Sequence, residues 1–366
     1  MARGMNRAAL QRRLLAWYAA NKRGLPWRGA RDPYRVWLSE VMLQQTRVAA
    51  VVDHYRRFVR RFPAVQTVAR AGREEVLRMW AGLGYYGRAR NLHRAAREMV
   101  LRHGGRFPRD YDTARTLPGV GPYTAAAVTS IAYGAHQAVL DGNVARVLAR
   151  LFALRGEVRA PQRWARLQEL AQQLLPGGTR RAAGASAGDW NQAMMELGAT
   201  VCTPRAPRCG ACPVQRWCRA QARGLAGQIP AVRRKRAAET VRLAVAVLHD
   251  PSGRTKLMRE DKQYFARLWH FPFVPAGVEA RRRLAQRLHN GKAGHSTRLR
   301  FEELSPVRHT VTLRRIQATP FLSRVAGLPR SARGERMVRL DRLDNVAVSS
   351  LTRKIAQAAL ERLDRG

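Results

Sequence analysis

Acidic residues are scarce in this chain of 366 residues: Asp and Glu total 25 against 68 Lys and Arg, a formal net charge of +43. A deficit of that size is not a solvated face arising by chance, and it points to a polyanionic partner whose counterions the Lys and Arg displace. A nucleotide bias toward arginine codons accounts for Arg standing in for Lys, but not for the missing acids. Long apolar runs are also lacking, so no segment reads as a membrane span. The basic, amphipathic start from Met1 to Leu15 has no signal-peptide pattern. The expected location is therefore intracellular. Internal repeats are lacking too. Cysteines are few, four in all, and they crowd into the 17 residues from Cys202 to Cys218. In a reducing compartment, such crowding favours metal ligation over disulfides.

What is present divides the chain in two. From residue 7 to about 225 the apolar spacing is helical and regularly punctuated by Gly and Pro. The helical runs are Val36 through Val52, Glu74 to Trp80, Arg88 to Leu101 and Tyr123 to Ala132. Gly224 to Glu239 is basic and aperiodic, a linker. Beyond it Val241 to Leu248 alternates as a strand, and Asp250-Pro-Ser-Gly253 makes a turn. A helix is expected around Ala280 to His289, with strands near Leu299, Val311 and Ile316. The result is a mostly α domain followed by a smaller α+β domain.

The cysteines follow Cys-x6-Cys-x2-Cys-x5-Cys: Cys202, Cys209, Cys212 and Cys218. Short loops that converge four thiolates suit an iron–sulfur cluster. A four-cysteine zinc site more often uses two separated Cys-x2-Cys pairs, and only Cys209 and Cys212 form one here. Zinc stays open as the alternative, with disulfides behind it. Arg205, Arg208, Arg216 and Arg219 surround the loop with positive charge. A structural role, stapling a basic loop, is preferred to a redox one.

Leu117-Pro-Gly-Val-Gly121 separates two helical stretches and is followed by Pro122, a residue suited to a first helical turn. The segment by itself is a helix-connecting turn. Together with the cysteines and the charge, it reads as a hairpin whose amides, at a helix start, take a DNA phosphate without reading sequence. Two acids stand out. Glu40 lies in the apolar helical run Trp37 to Thr46, and Asp141 lies in Val139-Leu-Asp-Gly-Asn-Val144. Singly, Glu40 is a buried structural acid and Asp141 a helix N-cap. Together they supply what cleavage of an N-glycosidic bond needs, one protonated and one ionised carboxyl. The apolar setting is expected to raise the pKa of Glu40, and the more polar turn to keep Asp141 ionised.

These residues, with Leu25 to Arg28, Asp32 to Thr46, Trp80 to Tyr86, Arg88 to Asn91, Leu140 to Val144 and Asn191 to Gly198, closely resemble the MutY-type adenine DNA glycosylases. That family belongs to the helix–hairpin–helix superfamily that includes endonuclease III, and the resemblance covers essentially residues 10 to 220. It implies a catalytic domain over 1–223, with a six-helix part at about 29–134 and a cluster part from 1–28 plus 135–223. A linker at 224–239 and a Nudix-like lesion-recognition domain at 240–366 follow. It further implies a [4Fe-4S] cluster on the four cysteines and a monomer acting on double-stranded DNA, removing adenine opposite 8-oxoguanine or guanine. In that reading Glu40 protonates adenine and Asp141 stabilises the cationic sugar, with Tyr123 and Asn143 in support. Arg23, Leu25, Trp27, Arg28, Leu43 and Gln192 line the adenine pocket. Gln44, Gln45, Tyr85 and the hairpin residues Leu117, Gly119, Val120 and Gly121 meet the DNA.

Tyr123 stands where endonuclease III-like enzymes carry their attacking lysine, which implies a monofunctional glycosylase without strand cleavage. In the second domain, Leu268 to Pro272 and Val307 to Thr310 fit the Nudix-like fold, but the catalytic Nudix helix is missing and no nucleotide hydrolysis is expected. Relatives show Phe-Ser-His at the lesion-reading loop where this chain has Val311-Thr312-Leu313. Thr312 keeps a hydroxyl for the damaged base, while the aromatic and the imidazole are absent.

Overall fold

A computed structural model describes residues 6–177, 186–231, 238–260, 265, 268–288, 299–311, 313–329, 331–332 and 334–365. Contacts group the chain into two compact units, residues 1–71 with 90–234, and residues 72–89 with 235–366.

The first unit is helical. Its elements are α1 (Arg7–Asn21), α2 (Pro33–Leu43), α3 (Val48–Arg61) and α4 (Val65–Arg70). After α5 (Arg73–Met79), which groups with the second unit, come α6 (Gly87–Arg102), α7 (Tyr111–Thr116), α8 (Pro122–Tyr133), α9 (Gly142–Leu151), α10 (Pro161–Leu174), α11 (Ala187–Thr200) and α12 (Arg219–Ala222). The expected single helical run from Val36 through Val52 is two helices. It breaks at residues 44–47, where Gln45 adopts a left-handed φ of 56°. Local capping explains several starts. The Asp32 carboxylate accepts from the Tyr34 amide ahead of Pro33, and Asp141 accepts from the Val144 amide at 2.7 Å. One core joins Leu10, Leu14 and Tyr18 of α1 to α8, α9, α10 and α11, and Cys202, Cys212 and Cys218 pack against its edge.

The hairpin forms as expected. The Val120 amide donates to the Leu117 carbonyl, and Gly121 caps α8 with Pro122 in its first turn. Gly119 has φ +77°, and a Cβ there would stand 2.7 Å from Asn91 Cβ, so only glycine fits.

In the second unit, β1 (Glu239–His249) lies between β3 (Phe273–Pro275) and β6 (Arg314–Arg324), with β4 (Glu302–Glu303) and β5 (Val307–Val311) also on β6. β2 (Arg254–Met258) pairs with β7 (Glu335–Arg339). α13 (Ala280–Leu288) and the C-terminal α14 (Ser350–Leu363) complete an α+β unit. β1 pairs with β6 in parallel along its whole length. The alternation of β1 does not place one face in water. Leu243, Val245 and Val247 enter one core, and Ala244, Ala246 and Leu248 a second. The strand expected near Leu299 is absent at that residue and begins at Glu302. The turn at Asp250 is present, the Gly253 amide donating to the Asp250 carbonyl. No helix among the described residues is long and apolar enough to cross a membrane.

Candidate active site

Two acids far apart in sequence face one cavity. Glu40 comes from the apolar middle of α2, and Asp141 from the N-cap of α9. The cavity, of about 440 Å³, also carries Arg23, Leu25, Trp27, Arg28, Leu43, Gln44, Gln45, Tyr123, Asn143, Gln192 and Glu196 in its wall. Its size is that of a small-molecule site. All six residues expected to surround adenine therefore share one wall with both acids. A larger groove of about 640 Å³ opens among residues such as Asp32, Pro63, His103, Phe107 and Arg109, and it contains neither acid.

Glu40 is 7% exposed. Burial raises its pKa. The Tyr123 phenol, donating to Oε2 at 2.6 Å, and the Arg28 charge pull it back, while Asp141 pushes it up again. The net direction is upward, as the apolar setting predicts. The Tyr123 hydroxyl also lies 3.1 Å from Met195 Sδ, a longer contact than the one to Glu40.

Asp141 departs from expectation. It too is raised, first by burial, with the Val144 amide and the Asn143 side chain opposing. The turn that holds it is half-buried, with Asp141 and Asn143 partly covered and Gly142 exposed. Asn143 Nδ2 donates to Asp141 Oδ2 at 3.1 Å, and Arg146 Nη2 donates to Asn143 Oδ1 at 2.9 Å. The close approach of α11 that encloses this turn requires Gly198, where a Cβ would stand 2.7 Å from Asn143 Cβ.

Glu196 is the functional candidate that residue-by-residue sequence reading missed. It lies in the matching stretch Asn191 to Gly198, and its setting between Met195 and Leu197 is an apolar one of the kind that singled out Glu40. In the fold it is fully buried and pairs with Arg23 Nε at 2.6 Å and Arg28 Nη2 at 2.7 Å. Arg28 also donates to Gln192 Oε1 at 2.8 Å and to the Tyr18 hydroxyl at 3.0 Å. Burial alone would raise the Glu196 carboxyl, but the Arg23 hydrogen bond and the two guanidinium charges outweigh it and hold the pKa below its ordinary value. The acid thus orients two pocket arginines.

At the rim of the cavity, Gln44 leaves its amide 3.2 Å from Thr124 Oγ1, and Gln45 is exposed. In the second unit, Tyr85 is 42% exposed with φ +48°. Left-handed backbone is uncommon outside glycine and costs on the order of 1–3 kcal/mol. Among the described residues Gln45, Tyr85 and Ala153 are the non-glycines that adopt it. The two polar or aromatic ones are those expected to meet a lesion. In the hairpin, Leu117 and Val120 bury their side chains, which leaves the exposed backbone of Gly119 and Gly121 to meet a ligand. Thr312 lies outside the described residues.

The four cysteines are half-buried and unpaired as disulfides. Among the described residues no three His, Cys, Asp or Glu side chains are grouped closely enough to hold one metal ion. The thiols nevertheless occupy one region. Burial, with the other three thiols close by, pushes Cys212 up to about 11 against a backbone hydrogen bond from Val214. Thiolates of a multi-iron cluster bind different irons and stand wider apart than the ligands of one ion. The donor set therefore fits an iron–sulfur cluster, and Arg205, Arg208, Arg216 and Arg219 are exposed around it.

Comparisons with known proteins agree with this geometry. Residues 38–173 match the HhH-GPD superfamily of base excision DNA repair proteins, and residues 202–218 match the iron–sulfur binding domain of endonuclease III. The chain is 44% identical over 207 residues to an adenine DNA glycosylase of Mycolicibacterium smegmatis, covering 56% of this chain and 68% of that one. It is 47% identical over 233 residues to the adenine DNA glycosylase of Mus musculus, covering 61% of this chain and 44% of the mouse protein. Thus it spans less than half the length of that relative. Among solved structures, a thermostable thymine-DNA glycosylase is similar with a TM-score of 0.52 and 30% identity, over 59% of this chain and 97% of that one.

Proposed function

This chain belongs to the HhH-GPD superfamily of base excision DNA repair proteins, and from that premise we propose that it removes adenine mispaired with 8-oxoguanine or guanine in double-stranded DNA. The observation that carries the reading is the pairing of Glu40 and Asp141 across one cavity, with the Tyr123 phenol on Glu40.

The target adenine leaves the stack and enters the cavity, where Arg28, held by Glu196, and Gln192 offer polar contacts and Leu25, Trp27 and Leu43 apolar ones. Glu40, whose protonated form burial favours, gives its proton to a ring nitrogen of the base. The C–N bond breaks with its electron pair leaving on adenine, and ionised Asp141 stabilises the oxocarbenium-like sugar until water adds to it. Tyr123, in place of an attacking lysine, leaves no amine for strand cleavage, and the product is an abasic site. Gln45, Tyr85 and the Gly119–Gly121 backbone hold the opened duplex. Residues 240–366 are a Nudix-like reader of the damaged base, to which Thr312 supplies a hydroxyl.

The cysteines hold a [4Fe-4S] cluster, which when bound cross-links the basic loop and supplies no step of bond cleavage. The enzyme works as a monomer on chromosomal DNA in the cytoplasm, to which its charge draws it.

Base release from A:8-oxoguanine, A:G and T:G duplexes tests the reading. Adenine is released from the first two, and Glu40→Gln or Asp141→Asn lowers the rate by about a hundred- to ten-thousand-fold. Undiminished release by both variants overturns it. The likeness to a thymine-DNA glycosylase makes thymine release from T:G the competing outcome.

A further inference from the structure

Arg150 lies on α9 and is only 2% exposed, yet among the described residues it has no carboxylate partner. Its guanidinium is spent on the loop that begins at Cys202 and on the Ile229 carbonyl. Nη1 donates to Cys202 Sγ at 3.2 Å and to the Thr203 carbonyl at 2.7 Å, Nη2 to the Pro204 carbonyl at 3.1 Å, and Nε to the Ile229 carbonyl at 2.7 Å. The Arg150 carbonyl oxygen in turn faces Cys218 Sγ at 3.5 Å. Arg146, one turn earlier, also reaches the loop, but through the Cys202 and Gly198 carbonyls.

A buried cation is tolerated when an anion or a full set of acceptors compensates it. Carbonyl dipoles supply part of that at Arg150. The full negative charges available at this place are cysteine thiolates, and one of them already lies at hydrogen-bond distance. Hydrogen bonds to the sulfurs and nearby charge are among the factors that set the reduction potential of an iron–sulfur site and how firmly its ligands are held.

We infer that Arg150 is the buried counter-ion of the iron–sulfur cluster, donating a charge-assisted hydrogen bond to the Cys202 thiolate and so raising the potential of the cluster and securing it against loss. This rests on the cluster assignment, so iron and sulfide analysis of the wild-type chain comes first. A colourless, zinc-loaded protein removes the premise and overturns the inference with it.

With an iron-loaded protein, film voltammetry and the rate of bleaching in air are compared for wild type, Arg150→Lys and Arg150→Gln. The expected order of potential is wild type, then the lysine variant, then the glutamine variant, with the glutamine variant bleaching several-fold faster. A residue that merely pins the loop carbonyls moves both variants equally, because lysine cannot span three carbonyls either. Equal shifts, or a glutamine variant with the wild-type potential, overturn the inference. Should neither variant fold, the wild-type protein carrying isotope-labelled arginine decides. Electron–nuclear double resonance of the paramagnetic cluster shows a guanidinium nitrogen coupling if Arg150 bonds the sulfur, and its absence overturns the assignment.

Discussion

The Tyr123 hydroxyl donates to Glu40 Oε2 at 2.6 Å, joining the second residue of α8 to the middle of α2 across 83 positions of sequence. This bond opposes the burial that raises the Glu40 pKa. Tyr123→Phe therefore lifts Glu40 further. Because Glu40 acts in its protonated form, the alkaline limb of the pH–rate profile moves to higher pH, while the acid limb, set by Asp141, stays near its place. Single-turnover rates across pH check this, and an unmoved alkaline limb refutes it.

The same burial bears on stability. A carboxyl whose folded pKa is raised favours the fold below its unfolded pKa, and that contribution is lost as pH rises through the folded value. Glu40→Gln removes the ionisation, so the variant melts higher than wild type at neutral and alkaline pH. The gain shrinks toward pH 4. Each kcal/mol recovered raises Tm by about 2–4 °C in a domain of this size. Calorimetry over that pH range gives the comparison.

Glu196 presents the opposite sign. Its lowered pKa contributes stability above the unfolded carboxyl pKa, lost as pH falls through the folded value. Glu196→Ala leaves Arg28 buried in the cavity wall without its counter-ion and frees Arg23, which is more than a third exposed. The loss is on the order of 3 kcal/mol, with base release reduced as well. Glu196→Gln retains part of the stability. Urea unfolding and turnover measured on both variants decide it.

The hairpin glycines separate folding from binding. Gly119→Ala sets a Cβ 2.7 Å from Asn91 Cβ at φ +77°, and costs at least about 1–2 kcal/mol from backbone conformation alone. Gly121 has nothing within 4 Å of its missing Cβ. Gly121→Ala keeps the wild-type Tm while weakening duplex affinity, because the added methyl stands between the backbone and a phosphate. Thermal melts paired with fluorescence anisotropy distinguish the two.

Much of the candidate site was legible in the sequence because its signals are local. Asp141 caps α9 through an amide three residues on, Gly121-Pro122 starts α8, and four thiols within 17 residues need no distant partner to announce a metal site. The helix break at residues 44–47 was hidden, because apolar spacing continues across it and only the backbone reveals the left-handed Gln45. Both faces of β1 are buried, which alternation of large and small apolar residues does not disclose. Glu196 was overlooked for the same kind of reason. On α11 it stands between Met195 and Leu197, but its partners are distant in sequence, and it matters because the segment after α1 brings Arg23 and Arg28 against it.

The cysteine spacing, the hairpin and the charge that calls for a polyanion were determined by the sequence itself, since each is short-range chemistry or a sum over residues. Tertiary structure decided the protonation preferences. Burial in the assembled cavity raises Glu40 as expected and raises Asp141 against expectation. It also placed Arg150 against Cys202. Desolvation and charge pairing depend on what the rest of the chain packs around a group, and no stretch of sequence carries that alone.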